Sequence, residues 1–111
     1  MTGSPEALLV FTNLPDHDSA LALARTLIER RLAACVNVLG AATSVYRWQQ
    51  AVETTQEVPV LIKTRRALYA EVEATIRALH SYELPEIIAV PVERGLPQYL
   101  QWILAETSAV S

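Results

Sequence analysis

Residues 41–64 read AATSVYRWQQAVETTQEVPVLIKT, and the fold depends on whether this stretch is one long hairpin. Ser44 to Gln49 has strand character through Val45, Tyr46 and Trp48, residue types that suit a pleated, half-buried surface. Val58 to Lys63 is a second strand-like run. Gln50 to Glu57 lies between them, polar and without helical spacing. The region therefore reads as two strands folded back on each other. The turn falls near Gln49-Gln50, although no Asn-Gly or Asp-Gly pair marks it. At about 3.3 Å per residue, a hairpin from Ala42 to Lys63 has arms of about ten residues, or roughly 33 Å. A compact 100-residue domain has a radius of gyration of about 13 Å, so the tip is expected to protrude. An exposed strand pair carrying Tyr46 and Trp48 is an aggregation hazard. Pairing with further copies of the chain removes it; a shorter, bulged hairpin in a monomer is the plainer alternative.

The flanking segments give the rest of the architecture. Ala7 to Thr12 is a continuous apolar run of strand length. Asp16 or Asp18 can cap the helix that follows, and Ala20, Leu21, Ala24, Leu27, Ile28 and Leu32 form its apolar stripe. Cys35 to Leu39 is a strand, with a bend expected at Gly40. Beyond the hairpin, Leu68, Val72, Ile76 and Leu79 mark a second helix. Ile87 to Val92 is the last strand, and its Pro91 cannot donate to a ladder, which favours a sheet edge. Pro97 opens a final helix whose buried side is Tyr99, Leu100, Ile103 and Leu104. The order βαββαβ plus a terminal helix predicts an α+β, ferredoxin-like domain: an antiparallel sheet backed by two helices.

Composition narrows the function classes. The 111 residues suit one domain, residues 1–111, with 1–5 expected to be loose. A net charge of −3 argues against a nucleic-acid partner. The apolar run Ala7 to Phe11 is too short to span a membrane. One cysteine, Cys35, forms no disulfide within the chain and suits a reducing, cytoplasmic setting. Cys35 has no basic neighbour in sequence and reads as inert. With three glycines there is no phosphate-binding loop, and no serine sits in a nucleophile elbow, so the chain does not read as an enzyme.

Five ordered segments, RLAACVNV, TSVYRW, VPVLIKT, LHSYELPEIIAVPV and YLQWI, resemble the CutA family of divalent-cation tolerance proteins. The resemblance covers about residues 8 to 106. It implies a PII-like homotrimer that shares strands between subunits, and a role in metal tolerance without catalysis. Three positions depart from the family pattern. Ser81 stands where a proline is usual. Gln50 stands where a glycine is usual, so a different turn type is expected there. Thr12 stands where some members carry a cysteine discussed as a copper ligand, which disfavours Cu(I) here.

HSYELPEI, residues 80–87, carries the candidate chemistry. His80 and Glu86, with Glu83 as a possible third ligand, suit Cu(II) or another divalent cation, weakly bound. Equally, His80 can simply end a helix, where an imidazole meets the helix dipole, with Glu86 bonded to the loop. Asp16-His17-Asp18 reads the same two ways, as a metal group or as ordinary capping. Tyr46, Trp48, Glu57, Lys63, Tyr82, Glu83 and Trp102 can line a cleft between subunits or pack an interface. Expected partners are the chain itself and divalent ions. The alternatives are a nucleotide or small metabolite in those clefts, or an unidentified protein anchored on the trimer.

Overall fold

The computed structural model describes residues 6–107; the expectation for residues 1–5 lies outside them. The strands are β1 (Ala7–Leu14), β2 (Cys35–Val38), β3 (Ala42–Trp48), β4 (Ala51–Arg65) and β5 (Ile87–Pro91). The helices are α1 (His17–Glu29), α2 (Tyr69–Leu79) and α3 (Pro97–Glu106), with a 3₁₀ turn at Arg66–Leu68 before α2. The strand order is β2-β4-β1-β5 and every pairing is antiparallel, with β3 paired to β4 beyond that path. Pro91 lies opposite Leu8 on the edge strand β5. No helix among the described residues is long and apolar enough to cross a membrane.

The sheet buries one face under α1 and α2. Val10, Leu14, Val58, Val60 and Ile62 meet Ala20, Leu23, Leu27, Val72 and Ile76 there. Burying each large aliphatic side chain contributes roughly 1.5–3 kcal/mol. Alternation along β1 places Thr12 on this face as well, 1% exposed. The contact stripe of α1 is narrower than its apolar spacing suggests. Ala20, Leu23, Ala24 and Leu27 are buried, whereas Ile28 is exposed. Leu79 of α2 and Tyr99 of α3 are also exposed, against expectation. A helix lying on a sheet touches it along one line, and the small Ala20 and Ala24 bring that line in close.

Local rules fix the ends of α1. Asp16 accepts a hydrogen bond from the Ser19 amide at 2.8 Å, the N-cap arrangement. At the other end Arg31 takes φ 58°, and Leu32 N–H and Arg31 N–H donate to the Leu27 and Ile28 carbonyls. This is a Schellman ending built on arginine instead of glycine. Arg31 also donates to the Ala105 carbonyl at 3.1 Å, tying α3 to the turn.

The hairpin has unequal arms. All seven residues of β3 pair with Ala51–Glu57, and β4 then continues between β1 and β2. The outer part alone reaches about 24 Å. It stretches the molecule to 47 × 28 × 23 Å and the radius of gyration to 14.9 Å. Tyr46 to Thr55 and Gln56 to Thr43 hydrogen bonds lace its two strands. The turn lies at Gln49-Gln50, and both residues have positive φ, 50° and 73°. The lack of glycine therefore does not change the turn: the two-residue loop keeps the left-handed pattern that matches strand twist, and two glutamines carry the strain.

Candidate functional site

A cleft of 630 Å³ lies between the hairpin and the corner that joins α2 to β5. Ser44 to Trp48 of β3, Glu57 of β4, Asn13 of β1 and the segment Tyr82 to Glu86 line it. Of the residues expected to line a cleft between subunits, Tyr46, Trp48, Glu57, Tyr82 and Glu83 lie together here within one chain. Lys63 and Trp102 do not. Lys63 pairs with Cys35 across β4 and β2, its ammonium lying 5.8 Å from the Tyr99 ring, and Tyr99 stacks near Trp102. Neighbouring Ile62 points into the core, so this second cluster sits on the opposite sheet face, beside α3. Cys35 thus has a basic neighbour after all, with Lys63 Nζ 4.0 Å from its sulfur. Strand pairing supplies that contact, which sequence adjacency does not reveal.

Asn13 organises the corner. Its main-chain carbonyl is hydrogen-bonded to His80 Nε2, and its side-chain amide donates to Glu86 Oε1 at 2.8 Å. His80 Nδ1 accepts the Tyr82 amide N–H at 3.2 Å. A carbonyl only accepts and an amide N–H only donates, so the imidazole is neutral, protonated at Nε2, with its lone pair at Nδ1. The His80 and Tyr82 rings lie 4.5 Å apart. His80 also terminates α2, with extended backbone at φ −91° and ψ 140°.

Glu57 is 8% exposed. The Tyr82 phenol lies near enough to feel its charge. Burial, and then the charge of Glu57, push that phenol up to about 12. Tyr82 is therefore a neutral donor throughout the physiological range. Asp16 is bound up in capping: the hydrogen bonds of Ser19 hold its carboxyl below the usual range. Among the described residues, no group of three or more His, Cys, Asp or Glu side chains is gathered to hold a metal ion. Sequence reasoning passed over Asn13 and Arg47. Asn13 had a signal, a polar side chain ending an apolar strand.

Residues 8–106 match the family model for the CutA1 divalent ion tolerance protein. The chain belongs to the CutA family. The Mus musculus Protein CutA is 42% identical over 101 residues, which cover 91% of this chain but 57% of that protein. The chain thus spans little more than half of that relative's length. The Thermus thermophilus divalent-cation tolerance protein CutA is 39% identical over 99 residues, 89% of this chain and 96% of that one. Among solved structures, CutA from Xylella fastidiosa superposes with a TM-score of 0.90 at 48% identity, covering 93% of this chain and 99% of that one. The mixed fold, with its antiparallel sheet and three helices, matches these CutA structures.

Proposed function

We propose that this chain works as a ferredoxin-like, PII-like homotrimer that binds a divalent cation weakly and serves metal tolerance without catalysing a reaction. The observation that carries the metal reading is the state of His80. Ligating histidines characteristically donate their other ring N–H to a carbonyl or carboxylate. His80 already does this through Nε2 and Asn13. The lone-pair nitrogen, Nδ1, is engaged by one long 3.2 Å bond from Tyr82, and a cation has only that bond to displace. Glu86 is held at the same corner by the same Asn13, and Glu83 stands beside it on the cleft wall. Two or three protein donors make a weak site, completed by water or by a neighbouring subunit. Imidazole with carboxylate suits Cu(II) or Zn(II). Cys35 as the single cysteine supports a reducing compartment, the cytoplasm.

The protruding hairpin supports assembly. Val45 and Val52 are 66% and 65% exposed on it, Leu84 is 71% exposed at the corner, and Ile88 and Val90 are exposed on the edge strand. Apolar surface of this extent marks an interaction site. Isothermal titration with Cu(II), on wild type and His80→Ala, tests the metal site. Wild type should bind weakly and the variant should bind several-fold less. Equal affinity would reduce His80 to the end of a helix.

A further inference from the structure

One helix stands outside the main core. The residues that the sheet, α1 and α2 bury together include none from α3. α3 lies instead against β4 and β1 on the other sheet face, where Ile103 is the side chain it buries. Thr107, just past its end, is buried as well, and its hydroxyl donates back to the Ile103 carbonyl at 2.7 Å. The two ends of α3 are held differently. At the start, Leu96 gives no side-chain cap. Leu100 lies over Gly95 so closely that a Cβ there would come within 3.1 Å of it. That contact joins the helix to its own leader. At the other end, helix carbonyls carry partial negative charge and lack partners. α3 has no basic residue in its last turn, and Glu106 there has the wrong sign. The cation comes from another element: Arg31 Nη2 donates to the Ala105 carbonyl at 3.1 Å, across 74 positions of sequence.

Arg31 makes that contact from an unfavourable backbone. It ends α1 at φ 58°, a conformation that glycine adopts freely and other residues rarely take. Glycine would end α1 with less strain, but glycine cannot reach α3. We propose that Arg31 is a latch and α3 a strap: the helix opens from its C-terminal end as a unit, the core under α1 and α2 stays folded, and Arg31 sets how often the strap opens. An element with its own small set of buried contacts opens separately from the core. Opening bares the outer face of β1 and β4. It also withdraws Tyr99 from Lys63, whose ammonium lies 5.8 Å from that ring and 4.0 Å from the Cys35 sulfur. All these contacts are made within one chain, and none of these residues lines the hairpin cleft.

Amide hydrogen exchange of the full chain, in its native assembly at one fixed concentration, tests the latch. In wild type, the α3 amides from Gln101 to Glu106 should exchange at least about tenfold faster than those of Val60 and Ile62 on β4. Arg31→Gly removes the guanidinium and relieves the backbone at once. It should speed α3 exchange about tenfold more, while Val60 and Ile62 stay as slow as in wild type or become slower. Arg31→Ala keeps the strained φ and should loosen α3 to the same extent. Wild-type α3 exchanging as slowly as β4 would overturn the proposal, because the helix would then open only with the whole fold. Unchanged α3 exchange in Arg31→Gly would overturn it too, as would an equal loss of protection in α3 and β4. Loosening in Arg31→Gly but not in Arg31→Ala would place the effect in the backbone of α1 and remove the latch.

Discussion

Two buried threonines make a matched experiment. Thr12 and Thr64 are 1% and 0% exposed, on adjacent central strands. Thr64 Oγ1 donates to the Leu32 carbonyl at 2.6 Å. Thr12 Oγ1 has no hydrogen-bond partner among the described residues. Replacing threonine by valine exchanges the hydroxyl for a methyl of similar shape. At Thr12 this removes a buried unsatisfied group, a penalty of about 1–3 kcal/mol, and adds apolar burial of about 0.8 kcal/mol. Allowing for imperfect fit, Thr12→Val should stabilise by about 1–2 kcal/mol. At Thr64 the same change deletes a hydrogen bond and strips a carbonyl of its donor, so Thr64→Val should destabilise by about 1–3 kcal/mol.

Urea unfolding at one fixed chain concentration reads both, since oligomerisation would otherwise shift the midpoint. With a slope of about 1.5 kcal/mol per molar urea, the two midpoints should move apart by roughly 2 M, one up and one down. Thr12→Ser is the internal control. It keeps the hydroxyl and loses the methyl, and should cost about 1 kcal/mol. A loss of stability in Thr12→Val would refute the reasoning, because it would mean that a water or a relaxed neighbour satisfies the hydroxyl.

Replacing Gln49-Gln50 by Asn-Gly relieves two positive-φ residues and should stabilise the chain by about 1–2 kcal/mol, read as a higher thermal midpoint; an unchanged midpoint would mean the turn carries no strain. On the proposed trimer, Trp48→Ala should dissociate or weaken the assembly, so light scattering should fall from the expected three times the 12.3 kDa chain mass; a particle of unchanged mass and melting would put Trp48 on a free surface. Tyr82 gives a pH test with a definite sign. Its phenol titrates at 10.0 when unperturbed and at about 12 in the fold, so between these values the unfolded chain has lost a proton that the native chain keeps. Stability is full below pH 10.0, falls as pH rises toward about 12, and Tyr82→Phe should flatten that fall. Tyr69, raised by burial and by Glu73, contributes the slope that remains.

What was legible in the sequence follows the range of the forces involved. Strand runs, caps and the hairpin are local, and each lies close to where its pattern indicates. The α1 stripe was less legible because His17–Glu29 has apolar residues on more than one side; packing chose Leu23 over Ile28, and periodicity alone had no means to choose. Contacts at the site were the least legible. His80 meets Asn13 across 67 positions, Glu86 meets it across 73, and Lys63 meets Cys35 across 28. The two bonds of Asn13 differ in how far a residue type specifies them. Any residue at position 13 would present a carbonyl to His80, so the imidazole tautomer is a property of the backbone path and no side-chain pattern encodes it. Only the asparagine side chain presents an amide to Glu86. The corner is therefore half written in residue identity and half in fold, and a change at Asn13 should release Glu86 while leaving the lone pair of His80 on Nδ1.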